Sequence, residues 1–292
     1  MMAIGAIDFN NLFAKMPKTS FSTLGCPDWS LDQVVSFAVR NGFSALEIRG
    51  IQRQLDLSKS PHFNSESAIR ETRKKVNGAG LKFAVLGSSA ALHHPEGPEK
   101  EKSMDEAKRF IGIAHGLGCP YVRVFPNELP KEGPERQKTM DIISKTFSQV
   151  ADNAKGTGVK ILMETHGELV RAADIERVMN NVENQEGTGL VWDVSNMWSV
   201  TKEEPAEVYG RLKKWIRHTH LKDLKIVGDK DVYTMFGEGE VPIFEAIDLL
   251  VKNNFQGYYS FEWEKLWHPD IAEPEVAIAQ FAKKMKEHFR AK

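Results

Sequence analysis

Cysteine is almost absent from this chain: Cys26 and Cys119 are its only two, far apart and in no CxxC arrangement. That excludes a framework of disulfides and a thiolate zinc site, fits a reducing cytoplasm, and leaves both residues as small core side chains. No apolar run approaches the ~18 to 20 residues that a membrane helix needs. An excess of charge of one sign is missing too, with 39 Lys plus Arg against 40 Asp plus Glu and a net charge of -1. Nucleic acid and anionic membranes are therefore not expected partners. The opening "MMAIGAIDFNNLFAKMPK" has neither a basic n-region nor a small-residue cleavage site and reads as an N-terminal arm rather than a leader. The turn after the first strand, "TLGCPDWS", lacks the GxGxxG spacing of a dinucleotide-binding fold.

What the sequence does have is a repeat of helix, glycine stop and strand. Hydrophobic residues make up 41% and charged residues 27% of 292 positions, the balance of an ordered globular chain. Short β-rich runs follow glycines in "NGFSALEIRG", "GAGLKFAVLG", "GLGCPYVRVF", "GTGVKILMETHG", "GTGLVWDVSN" and "FQGYYSFEWE". Glycine just past a helix is what a left-handed C-cap requires. With "FSTLG" near residue 21 and "IRHTHL" near 216, the strand count reaches eight. Between the strands lie helical stripes: Leu31, Val34, Val35, Ala38 and Val39, then Met140, Ile143, Phe147, Val150 and Ala154, then Ile278, Phe281, Ala282, Met285 and Phe289. Eight βα units with no linker composition predict an α/β protein, a single (β/α)8 barrel over residues 20–292, with an arm at 1–19.

In such a barrel the chemistry sits where strands end and βα loops begin. Here four consecutive strands, the fifth to the eighth, close with Glu164, Asp193, His220 and Glu262. Any one of these is unremarkable as a loop cap or a hydrogen-bonded histidine. Together they bring three carboxylates and an imidazole to one mouth, and Asp and Glu are rarely buried unless paired or metal-bound. This oxygen-rich set suits a divalent metal, Mn2+ first, with Mg2+, Co2+ or Zn2+ as alternatives. His218, one pleat deeper than His220 on the same face, is placed to support the ligand or to contact substrate.

The ordered segments "METHG", "WDVSN", "HTHLKD", "GEGEVP" and "SFEWE" resemble the xylose-isomerase-like barrel superfamily, which holds sugar isomerases and epimerases, keto-inositol dehydratases and an endonuclease IV branch. The resemblance runs from about residue 20 to the end, and "HxHxKD" with the following "GxG" is its most specific part. It implies a (β/α)8 TIM barrel, a metal held by Glu164, Asp193, His220 and Glu262, and an acid/base role for Glu164 and Glu262. Sugar epimerases of this type often carry a histidine three residues after the strand-six aspartate. This chain has Asn196, which can hydrogen-bond a hydroxyl but cannot carry a proton.

A metal chelating a carbonyl and its neighbouring hydroxyl stabilises the enediolate formed when the adjacent C–H proton leaves. Two glutamates flanking that substrate give epimerisation or isomerisation of a keto-sugar or related polyol. Loss of a β-hydroxyl gives a dehydratase of a keto-inositol or 3-keto-sugar instead, with His166 or His218 as acid. Further substrate-binding candidates are Asn196, Lys222, Glu47 and Arg49. Two glutamates, Glu238 and Glu240, flank Gly239 in "FGEGEVP", so a phosphate on the loop after strand seven is disfavoured and a neutral or keto sugar preferred. A DNA-repair nuclease, with His93 and His94 as extra ligands, is the weaker rival. The expected partner is a small molecule, the expected compartment the cytoplasm, and pairing of exposed helices into a homo-oligomer is left open.

Overall fold

The computed structural model describes residues 17–291, so most of the expected arm at 1–19 lies outside the described residues. The first helix shows how local sequence sets the unit. In α1 (Leu31–Asn41) Ser30 and Gln33 form a reciprocal capping box, and Gly42 closes the helix with φ 75°. Such a cap contributes about 1 kcal/mol. Leu31, Val34, Val35 and Ala38 are buried as the periodicity predicts, but Val39 is 48% exposed. Val39 is therefore corrected from core to rim: it falls at the edge of the stripe, in the last turn before Gly42.

The barrel strands are β1 (Thr19–Ser22), β2 (Ala45–Ile48), β3 (Lys82–Ala91), β4 (Tyr121–Phe125), β5 (Lys160–Glu164), β6 (Thr188–Asp193), β7 (Ile216–Leu221) and β10 (Tyr259–Phe261). They close in the order β1-β10-β7-β6-β5-β4-β3-β2, with parallel neighbours throughout. Strand residues are buried almost throughout, as expected where helices cover the outer face and side chains fill the inner one. Outward side chains join the large core with α3 (Pro98–Leu117), α4 (Gly133–Asn153) and α9 (Pro274–Arg290). Inside, Ala45, Val85, Leu162 and Val191 form a small apolar cluster with Tyr121 and Tyr258 against it.

Period-two alternation then lifts each inward column from apolar to charged: Ala45 to Glu47, Leu162 to Glu164, Val191 to Asp193. The register brings the ends of β6 and β7 level. Asp193 pairs with His220 across β6 and β7, and His220 with Ser260 across β7 and β10.

The sequence reading counts eight strands, whereas the described residues form ten. The two extra, β8 (Asp223–Val227) and β9 (Lys230–Thr234), form an antiparallel hairpin between β7 and α8 (Ile243–Lys252). Its signal was present in "LKIVGDKDVYT", two β-rich runs around Gly228-Asp229. The hairpin is followed by a loop built on Asp223. That carboxylate accepts the backbone N–H groups of Leu224, Gly237, Gly239 and Val241. A Cβ at Gly239 would fall on the same carboxylate. The glycine spacing in "FGEGEVP" therefore serves Asp223, and three amides of this loop are already occupied.

Asp223→Ala leaves four amides short of an acceptor. The thermal midpoint of unfolding is expected to fall by roughly 5 °C or more, with proteolysis accelerated in the 235–241 loop. An unchanged midpoint would mean that Asp223 does not organise this segment.

Candidate metal centre

Glu164, Asp193, His220 and Glu262 each present one ligand atom, all within 4.8 Å of one another, and all four residues are buried. All four stand within one residue of the ends of the adjacent strands β5, β6, β7 and β10. His220 Nδ1 lies 3.2 Å from Glu164 Oε1, 3.1 Å from Glu262 Oε1 and 3.9 Å from Asp193 Oδ2. On the other side of the ring, Nε2 is 3.0 Å from Glu47 Oε1. That bond assigns the proton to Nε2 in the neutral ring and turns the Nδ1 lone pair toward the three carboxylates. Nδ1 and Glu164 Oε2 are buried with no hydrogen bond. An imidazole lone pair facing a ring of carboxylate oxygens, away from water, suits a divalent cation and makes this cluster a possible metal site.

Glu47 sits at the centre of the support. Its Oε2 takes His218 Nε2 at 2.8 Å and Ser260 Oγ at 3.0 Å, while Oε1 takes His220. Burial alone would raise its carboxyl, but His220 and His218 outweigh that and hold it far below the usual carboxylate range. His218 goes the other way, because burial exceeds the pull of Glu47 and keeps the ring neutral. Glu47 is expected from sequence to meet substrate; the structure instead gives both its oxygens to the two imidazoles and a serine.

Lys222 is fully buried, with Nζ 2.5 Å from Asp193 Oδ2, 2.7 Å from Glu262 Oε2 and 2.9 Å from Glu264 Oε1. Burial disfavours its charge, but Asp193, Glu262 and Glu264 reverse that and raise it well above an ordinary lysine. It is a fixed cation inside the carboxylate set, nearer to the ligands than an alternation toward open substrate space suggests. Arg123, on β4, plays the same part for Glu164, with Nε 3.1 Å from Oε2. Burial works to raise Glu262 and Glu164; His220 opposes it first in both, Lys222 adding to it at Glu262 and Arg123 at Glu164, so both carboxyls stay low. Asp193 is the exception: burial lifts it to about 7, Lys222 opposing and Glu262 and Glu164 adding to the rise. Burial lowers His220, but Glu262, Glu47 and Glu164 together raise it well above its ordinary value. Free of metal, the cluster thus holds protons near neutral pH.

The remaining sequence candidates spread around this centre. Asn196 donates its backbone N–H to Asp193 Oδ1 at 2.8 Å, at the start of α6 (Val194–Thr201). His166 packs at a tilt against Phe125 with centroids 4.5 Å apart, and the Arg123 guanidinium lies over the same Phe125 ring, 3.8 Å from its centroid. Arg49 reaches the same wall through Gly87 O and Ser89. His93 and His94 stack on each other and join no metal-competent group among the described residues. Sequence reasoning missed Glu264, the third carboxylate on Lys222. Glu264 stands two residues past Glu262 in "FEWE", so the same alternation that singled out Glu262 could have found it.

The xylose isomerase-like TIM barrel family matches residues 35–288. The chain belongs to that family. Among curated relatives it is 20% identical over 264 residues to a 3-dehydroshikimate dehydratase of Bacillus anthracis, covering 85% of this chain and 91% of the relative. It is 22% identical over 287 residues to an inosose dehydratase of Clostridium botulinum, covering 87% and 92%. Among solved structures, an L-ribulose 3-epimerase superposes with a TM-score of 0.75 at 16% identity, covering 94% of this chain and 95% of that one. The IolI protein with a bound zinc atom does so at 0.74 and 18% identity, covering 94% and 98%. These structural likenesses speak for the barrel; the family's matched relatives are enzymes. Among the described residues no helix is long and apolar enough to cross a membrane.

Two outcomes follow for metal binding. A divalent ion must displace the protons held by His220 and Asp193, so affinity for Mn2+ is expected to rise with pH between ~6 and ~8, with net proton release. Calorimetry in buffers of different ionisation enthalpy measures both; pH-independent affinity without proton release would contradict the assignment. Glu47→Gln, which keeps the volume but removes one acceptor, should weaken Mn2+ binding roughly 10- to 100-fold. Undiminished affinity would show that the Glu47–His220 bond does not prepare the ligand.

Proposed function

We propose that the chain is a divalent-metal-dependent isomerase or epimerase of a keto-sugar or related polyol, moving a proton between Glu164 and Glu262. The observation that carries this is the convergence of both glutamate carboxylates on His220 Nδ1, at 3.2 and 3.1 Å, from strands β5 and β10. A divalent ion held by Glu164, Asp193, His220 and Glu262 supplies the polarisation that makes the proton beside a carbonyl acidic. Mn2+ is the first expectation from the oxygen-rich set, and the zinc of the IolI neighbour supports a divalent ion without choosing between them.

The protein's own groups then divide the work. Lys222 and His220 keep Glu262 ionised, so its carboxylate takes the proton. Glu164, steered by Arg123 and ionised at rest, takes up a proton from solvent and returns one to the opposite face or to the neighbouring carbon. Asn196, whose amide anchors Asp193, contacts substrate hydroxyls without proton transfer.

A second reading is favoured by one finding: the two curated relatives above, each spanning most of this chain, are dehydratases. After the same proton abstraction, an acid would expel a β-hydroxyl as water. His218 is closed in by Glu47 and kept neutral, which leaves His166, two residues past Glu164 and with a buried, unbonded Nδ1, as that acid.

Incubating the Mn2+ enzyme with ketoses, keto-inositols and 3-keto-glycosides in deuterated water separates the two. Deuterium in an epimer or isomer supports the first reading, and a dehydrated product selects the second. In either case Glu262→Gln should lower the rate about 100-fold or more. An unchanged rate with metal still bound would remove Glu262 from the chemistry.

A further inference from the structure

We propose that Arg49 binds an anionic group of the substrate, a carboxylate, so that the substrate is a keto-sugar acid rather than a neutral ketose. The inference rests on the functional reading above and narrows it. Arg49 follows Glu47 by two residues and continues the inward column of β2 toward the mouth. It is 5% exposed, yet among the described residues no carboxylate lies within 4.0 Å of it, the limit for an ion pair. Its guanidinium donates to Gly87 O at 3.4 Å and to Ser89 Oγ at 2.8 Å. Two of five N–H groups are thus used, both on neutral acceptors.

The charged groups around it stop short of pairing: Glu106, Glu164 and Glu262 attract the guanidinium, but none lies within 4.0 Å, and Arg123 opposes it. Arg123, the neighbouring guanidinium, is paired with Glu164, donates to Ser88 O at 2.9 Å and lies over the face of Phe125. The two arginines close on Gly87, where a Cβ would lie 2.8 Å from Arg49 Cδ and 2.9 Å from Arg123 Nη2. Glu106 accepts the backbone N–H of Ser89 at 2.5 Å and attracts Arg49 from beyond ion-pair distance.

A buried guanidinium with a cationic neighbour and no ion pair is stabilised by an incoming anion, and its planar fork matches a carboxylate in two parallel bonds. Phosphate fits less well. The amides that a barrel loop could offer it, at Gly237, Gly239 and Val241, already serve Asp223. Arg49 alone would face two charges.

Binding to the Mn2+-loaded protein decides the matter with three probes of one carbon skeleton: D-fructose, D-fructuronate and D-fructose 6-phosphate. Wild type is expected to bind fructuronate ~10-fold or more tightly than fructose, by calorimetry at low salt. Arg49→Met should cut that preference to about two-fold while leaving Mn2+ affinity unchanged, and Arg49→Lys should recover part of it. If Arg49→Met does not fold, the Arg49→Lys result and the decline of the wild-type preference with added NaCl carry the test. Equal binding of fructuronate and fructose, no binding of either, a preference that survives Arg49→Met, or a stronger preference for the phosphate each overturns the carboxylate assignment. Failure of the functional reading shows elsewhere, as absence of Mn2+ binding or of solvent deuterium in any product, whereas the anion preference is read from binding alone.

Discussion

At the centre of the barrel the Nε2–H of His220 donates to Glu47, and the rest of the mouth is arranged around that bond. It fixes the face of the imidazole that points at Glu164, Asp193 and Glu262. It also gives Glu47 a charge-bearing role below the site, where His218 and Ser260 complete its acceptor capacity. An isolated carboxylate at 0% exposure would shed its charge by taking a proton. With two imidazoles and a hydroxyl as partners Glu47 stays ionised, and the ring above it stays oriented.

The upper layer meets the same constraint by other means. Lys222 spans Asp193, Glu262 and Glu264, and Arg123 holds Glu164, so each glutamate of the proposed proton-transfer pair has one oxygen held by a fixed cation and the other turned to His220. Breaking one member of such a buried set leaves its partner's charge uncompensated, which costs more than the pair contributes. The set is thus a preorganised frame: the carboxylates point inward before any substrate arrives.

Much of this was legible in the sequence because a parallel barrel converts spacing into position. Period-two alternation and the glycine-stopped repeats yield the eight barrel strands, and the strand-end residues Glu164, Asp193, His220 and Glu262 follow from them. What stayed hidden depends on contacts across the barrel. That Glu47 lies beneath His220 requires the register of β2 against β7, on opposite arcs of the sheet, which no local pattern encodes. Lys222 reads as a residue aimed at substrate, yet it is folded back among the carboxylates. The β8–β9 hairpin has its turn at Gly228-Asp229, but it lies outside the helix, glycine stop and strand repeat that marks the barrel strands. Val39 shows the limit of stripe counting, since a helix edge can face either way.

The account stands on a divalent ion completing the cluster around His220 Nδ1. Crystals grown with Mn2+ and measured at the manganese absorption edge locate that ion directly. The expected result is one ion per chain, about 2.0–2.3 Å from His220 Nδ1 and from oxygens of Glu164, Asp193 and Glu262, with the Glu47–His220 bond intact. A fully loaded crystal with the ion elsewhere, or with His220 bound through Nε2 and detached from Glu47, would contradict it.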